Sequence, residues 1–304
     1  MSPEVVMASR AGRFDEALVI DWSAAATKST GADSCWIAHG GLDARVPITV
    51  TNHATRVETM AEIDRRLDRA LNRGRRVLVA IDVSFGFAAG AAKTLGLRGR
   101  PAWSALWATL EARLHDDDQN RNDRFEVADA MNAACGTRVF WGRPVASSFS
   151  HLVHLPIRNV DVEGLAPNPL PKFRACEELA GPGVISNWML VGQGSVGGQI
   201  LTCLPYLERL RRRLGDQVAV WPFEGPGDPG APVVLAETWH GLFDWRSQPG
   251  AVRDAQQVRG TLITLRNAGS EGRRTLLDPP SMRALSQTRR RQILAEEGWT
   301  LGVL

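Results

Sequence analysis

Long apolar runs are missing from this chain of 304 residues. No stretch approaches the roughly twenty consecutive apolar residues that cross a bilayer, so no membrane partner is expected and the cytoplasm is the expected location. Residues 1–14 lack the apolar centre of a secretory signal and read as a disordered leader. Cysteine is scarce: Cys35, Cys135, Cys176 and Cys203 are scattered, with no CxxC pair. That spacing excludes a zinc ribbon and argues against a disulfide framework. Lysine is confined to positions 28, 93 and 172, so almost every cation is an arginine. The formal net charge is only +3, which neither demands nor forbids a nucleic-acid partner. There is no GxSxG, HExxH or P-loop pattern. Tyr206 is the single tyrosine against ten tryptophans. Trp22, Trp141, Trp221 and Trp239 read as core or pocket lining, with base stacking as the alternative.

What is present is a pair of short apolar runs, each ending in aspartate: Ala17-Leu18-Val19-Ile20-Asp21 and Val77-Leu78-Val79-Ala80-Ile81-Asp82. Unbroken β-branched runs of this length predict strands buried on both faces. An Asp at the end of such a strand lies at the C-terminal edge of the sheet, where α/β folds place ligands. Two carboxylates meeting there repel unless a cation or a shared proton lies between them.

Between these runs, 34–39 and 46–51 predict two more strands, with Pro47 suiting an edge. Thr55-Arg56-Val57-Glu58 has the form of a capping box. The helix behind it aligns Val57, Met60, Ile63, Leu67 and Leu71 on one face. The opening order is therefore strand, strand, strand, helix, strand. We read the fold as α/β, with a ribonuclease-H-like mixed sheet: a three-strand meander, a helix and a parallel strand. In such a sheet the first and fourth strands are neighbours, which brings Asp21 beside Asp82. Residues 15–304 read as one domain with a large, mostly helical insertion at about 90–215. Helices are expected at 102–114, 124–134 and 199–213, and strands at 188–191, 218–221 and 233–236. Two helices, 252–265 and 281–297, close the chain.

Asp254 opens the first closing helix and Glu237 ends the last strand. Asp21, Asp82 and Asp254 are the candidate metal ligands, with Glu237 assisting. Hard oxygen donors of this kind suit Mg²⁺ or Mn²⁺, and such ions serve phosphodiester hydrolysis. Phe173-Arg174-x-x-Glu177 either pairs Arg174 with Glu177 one turn on or aims Arg174 at a phosphate. Gly192-Gln193-Gly194-Ser195-Val196-Gly197 matches GxGxxG but lacks a βαβαβ series around it. It reads as a tight turn or an anion site at a helix start. Gly194 and Ser195, with Ser23 after the first strand, join Arg174 as candidate substrate-binding residues.

The chain resembles a family of bacterial predicted nucleases with a ribonuclease-H-like fold, through Ile20-Asp21, Ile81-Asp82, Ala236-Glu237 and Asp254. It is more closely similar to an alphaproteobacterial-type subfamily through Arg124-Phe125-Glu126, Phe140-Trp141-Gly142, Phe173-Arg174, Gly194-Ser195-Val196-Gly197, Val220-Trp221-Pro222-Phe223-Glu224 and Glu297-Gly298-Trp299. Some of its members carry labels pointing to molybdopterin-guanine-dinucleotide or cobalamin synthesis. Val83-Ser84 departs from the broader family's apolar-Pro turn. The resemblance implies a metal-dependent phosphodiester hydrolase acting on nucleic acid or a nucleotide. Two alternatives stand beside it. One is a cofactor-handling enzyme that holds a phosphorylated ligand at Gly192–Gly197. The other is a binding module that has lost its chemistry.

Overall fold

The structure is a computed structural model and describes residues 12–43, 46–99, 101–154, 165–192 and 194–304. Residues 1–11 of the expected leader lie outside the described residues. The rest of that segment is tied down. Gly12 donates to Asp228 at 2.8 Å, and the Arg13 carbonyl accepts from Arg76 at 2.9 Å. Phe14 is buried, with the Arg76 guanidinium 4.5 Å from its ring centre.

In chain order the elements are β1 (Glu16–Asp21), β2 (Cys35–Gly41), β3 (Thr49–His53), α1 (Arg56–Leu71) and β4 (Val77–Ile81). Then come α2 (Ala91–Thr94), α3 (Ala102–Arg113), α4 (Arg124–Cys135), α5 (Ala175–Ala180) and α6 (Gly197–Leu214). The chain closes with β5 (Val218–Val220), β6 (Val233–Thr238), α7 (Arg253–Asn267), α8 (Gly269–Leu277), α9 (Pro280–Ala284), α10 (Gln287–Gln292) and β7 (Thr300–Leu301). The fold is α/β around a mixed seven-stranded sheet of order β3-β2-β1-β4-β6-β5, with β7 beside β6. β1, β2 and β3 form an antiparallel meander, whereas β4 runs parallel to β1 and β6 parallel to β4.

The apolar runs form central strands because both of their faces are covered. Leu18, Ile20, Val79 and Ile81 point into one core with Ile63 and Leu67 of α1. Residues of α3, α4 and α6 complete that layer. Ala17, Val19, Leu78 and Ala80 point the other way and pack with Val258, Leu262 and Leu265 of α7. The side chains alternate with the pleat, yet every position is apolar, as two-sided burial requires. The Thr55 side chain caps α1 by accepting from Glu58 N–H at 3.1 Å, and Glu58 in turn accepts from Ala54 N–H at 3.0 Å.

Two expected elements differ. Residues 188–191 form no strand of the sheet; Met189 makes one isolated bridge to Trp141. Gly192 and Gly194 take positive φ, and the Met189 carbonyl accepts from Gly197 N–H at 3.0 Å, so the segment curls into α6. The expected helix over 281–297 breaks into α9, α10 and a π-helical turn at Ile293–Glu297. Ser286 interrupts it in extended backbone and caps α10 by accepting from Arg289 N–H. The span between β4 and β5 carries α2–α6 but also long irregular stretches, and 155–164 of its Pro/Asn/Gly loop lie outside the described residues.

Candidate metal centre

Strand register decides where the two aspartates meet. Ile20 pairs with Ile81 across the parallel β1–β4 ladder. The next residue, Asp82, donates its backbone N–H to the Ile20 carbonyl at 2.9 Å. Asp21 and Asp82 therefore end adjacent strands at the same edge. β6, on the far side of β4, ends at Thr238 and leads into a 3-10 turn, His240–Leu242. That turn brings His240 over the same edge. One ligand atom each from Asp21, Asp82 and His240 lie within 4.8 Å of one another.

The electrostatics of this trio are adverse without a cation. Burial, followed by the charges of Asp82 and Asp254, pushes the Asp21 carboxyl well above its usual range, while Arg253 opposes the shift. Burial lifts Asp82 to about 7; the backbone N–H of His240 counters this and the charge of Glu237 adds to it. Burial draws His240 down to about 3, so its imidazole is neutral. His240 is 0% exposed. Its Nδ1 lies 2.8 Å from Thr261 Oγ1, whereas Nε2 has no hydrogen-bond partner among the described residues. Nε2 sits 3.7 Å from Asp82 Oδ2, beyond hydrogen-bond range. A buried polar atom without a partner is costly. A cation placed among Nε2 and the two carboxylates would satisfy all three.

The edge opens into a cavity of about 620 Å³ lined by Asp21, Asp82, Asp254, Arg253, Arg124 and Trp239, among others. Asp254 sits in the first turn of α7 and accepts from Asp33 N–H through Oδ2 at 2.9 Å. It borders the cavity but stands outside the tight trio. Ser23 also lines the cavity, but its hydroxyl donates to the Asp33 carbonyl at 2.5 Å and accepts from Ala25 N–H at 3.1 Å. That hydroxyl shapes the loop after β1. Gly194 and Ser195 reach the cavity wall from the turn before α6. Gln193 of that turn lies outside the described residues.

Arg174 takes the first of its two expected roles, the pairing with Glu177, while Glu237 stands apart from the expected cluster. All five guanidinium N–H groups of Arg174 are engaged inside the protein. Nε donates to Glu177, Nη1 to Glu237 and the Glu297 carbonyl, and Nη2 to Ser84 and Glu237. At 1% exposure it has no donor left for a phosphate. The Glu237 carboxylate is held by the two Arg174 bonds, by Phe85 N–H at 2.8 Å and by the Thr300 hydroxyl. Its oxygens are filled, and it acts on the centre only through its charge on Asp82. The network braces the ends of β4, β6 and β7 behind the cavity. Of the four tryptophans singled out, Trp22, Trp141 and Trp221 are buried in the cores, and Trp22 and Trp239 line the cavity.

His240 and Arg253 escaped the sequence reading, and Arg124 entered it only within the Arg124-Phe125-Glu126 motif, with no site role. His240 was legible in principle: it follows a strand-ending glutamate by three residues, at the same kind of edge position as Asp21 and Asp82. Arg124 and Arg253 carry no local signal, because only packing turns them into the cavity. Among the described residues no helix is long and apolar enough to cross a membrane. No family model, curated protein or solved structure matches the chain.

Proposed function

We propose that the protein is a metal-dependent hydrolase of phosphoesters, built on a ribonuclease-H-like core with the β4–β5 segment as an elaboration. The meander β3-β2-β1 continued by a parallel β4 supports that fold reading. The observation that carries the function is the convergence of Asp21, Asp82 and the unpartnered, fully buried Nε2 of His240 at the mouth of one cavity.

Asp21, Asp82 and His240 would hold a divalent ion. With Nδ1–H donated to Thr261, Nε2 offers its lone pair, the arrangement usual for a ligating histidine. An imidazole beside two carboxylates favours Mn²⁺ over Mg²⁺, whose preference is for oxygen alone. A bound ion supplies a polarised phosphoryl oxygen and a water of lowered pKa. The chain's own groups do the rest. Arg253, exposed at the N-terminus of α7 and without a carboxylate partner in ion-pair range among the described residues, meets the phosphoryl charge. A cation at the positive end of a helix dipole is unfavourable for stability, which fits a role in binding. Asp254 faces the same cavity, with one oxygen fixed by Asp33, and is placed to take the proton of the attacking water. In the reaction the water oxygen bonds to phosphorus, the bond from phosphorus to the leaving oxygen breaks, and that oxygen leaves with a proton.

The test is calorimetric titration of Mn²⁺ into the parent chain and into Asp21→Asn/Asp82→Asn. Saturable binding by the parent that vanishes in the double variant is expected. Absence of binding by the parent would sink the proposal.

A further inference from the structure

Arg124, at the start of α4, is the cation in the cavity that the hydrolase reading leaves without a task. It lines the wall, and its Nε is buried with no hydrogen-bond partner. Its guanidinium makes one hydrogen bond among the described residues, from Nη1 to Asn122 Oδ1 at 2.7 Å, and it stacks on Phe125, 4.4 Å from the ring centre. Among the described residues no carboxylate lies in ion-pair range of it. The nearest acidic network is closed to it: Asp116 is engaged by Arg56 at 2.5 Å and by the Tyr206 hydroxyl at 3.0 Å. Burial and the Arg56 charge draw the Arg124 guanidinium down to about 10, against the opposing charges of Asp116 and Glu126. A partly desolvated guanidinium with no carboxylate in contact is costly to keep.

The surroundings of Arg124 are shaped to admit an anion. α6 begins Gly197-Gly198, and a Cβ on Gly198 would stand 3.3 Å from Arg124 Nε. Glycine there lets the guanidinium come against the first turn of the helix. The N–H groups of Gly198 and Gln199 have no acceptor among the described residues, and the start of an 18-residue helix carries partial positive charge.

We propose that Arg124, with the first turn of α6, binds a second anionic group of the substrate, separate from the phosphoryl group that reacts beside Asp21 and Asp82. The substrate class is then a small phosphoester with two anionic groups, as in a nucleoside diphosphate, and not a long nucleic acid. The cavity of about 620 Å³ matches such a ligand. An adjoining cavity of about 260 Å³ shares Asp82, Gly194, Trp239 and Arg253 as walls. Val184, Ile185 and Val196 form its apolar part and give room for an organic portion, beside Ser84 and the engaged Arg174, Glu177 and Glu237.

The inference rests on the hydrolase reading for the identity of the reacting group, so the test separates the two. Inorganic phosphate is titrated by calorimetry into the full-length Asp21→Asn/Asp82→Asn chain, in which the metal ligands are removed and anion repulsion is relieved. Saturable binding is expected. Adding Arg124→Gln weakens it about tenfold or more, as loss of a charge-assisted contact does. Arg124→Lys, which keeps the charge, retains part of it, and thermal unfolding of each variant confirms that it is folded. Equal phosphate affinity with and without Arg124, or no saturable binding in the double variant, overturns the subsite even if the parent binds Mn²⁺. Phosphate binding that depends on Arg124 upholds the subsite even if the parent binds no Mn²⁺.

Discussion

Replacing Asp82 by asparagine should stabilise the metal-free protein at neutral and alkaline pH. The Asp82 carboxyl titrates at about 7 in the folded chain and has an ordinary value of 3.8. Within that window the folded chain holds a proton that the unfolded chain has released, so its contribution to stability falls as pH rises. At about 1.4 kcal/mol per pH unit, the carboxylate costs about 4 kcal/mol at pH 8 and about 2 kcal/mol at pH 5. An amide in the same place avoids that cost but loses about 1–2 kcal/mol in imperfect hydrogen bonds. The net gain for Asp82→Asn at pH 8 is about 2–3 kcal/mol, and it shrinks by about 2–3 kcal/mol on going to pH 5. For a chain of 304 residues the latter is about 4 °C in Tm. His240, depressed to about 3 by burial, destabilises in the opposite direction, as pH falls below its usual value. It is common to both proteins, so the difference between them reports the Asp82 carboxylate together with its charge coupling to Asp21. The assay is thermal unfolding of parent and variant in EDTA at several pH values from 5 to 8. A Tm difference that stays flat with pH, or that favours the parent at pH 8, would refute the account and make Asp82 an ordinary turn-capping residue.

Three further outcomes follow from the same geometry. Because the ligating carboxylates must be deprotonated and both Asp21 and Asp82 are raised, Mn²⁺ affinity should fall about tenfold or more per pH unit as pH drops below about 7; calorimetry across pH checks this. Thr261→Val removes the partner of His240 Nδ1 and should weaken Mn²⁺ binding about 10–100-fold, measured by the same titration, while the orphaned buried N–H costs about 1–3 kcal/mol of stability. Arg174→Met leaves the buried Glu237 and Glu177 carboxylates without their counter-charge and should cost about 3–5 kcal/mol. Urea unfolding would show it, and a loss below about 1 kcal/mol would contradict the bracing role.

The division between binding and bracing also explains why this edge of the sheet holds so much charge. Asp21, Asp82 and Asp254 face a cavity and remain electrostatically strained. Glu177, Glu237 and Glu297 lie behind it and are tied to Arg174 and Arg289, or to backbone N–H groups. The rear network fixes the strand ends so that the front carboxylates cannot relax apart. Preorganisation of this kind holds ligand groups close before any ion arrives.

The sequence alone determined the central strands, because two-sided burial leaves an unbroken apolar run that polar contacts cannot imitate. It also determined the approach of Asp21 to Asp82: strand, strand, strand, helix, strand leaves few ways to lay β4 beside β1. α1 was legible from its cap and its periodicity. Tertiary structure decided the rest. Whether a carboxylate faces a cavity or a guanidinium depends on partners far away in the chain: Glu237 meets Arg174 across 63 positions. Arg174, Arg124 and Arg253 look alike as sequence. Packing surrounds the first with acceptors and leaves the other two facing an acidic cavity. The place of His240 just past a strand end was legible, but its ring is aimed by the turn after β6 and by Thr261 on α7, and no local pattern encodes that meeting of two segments.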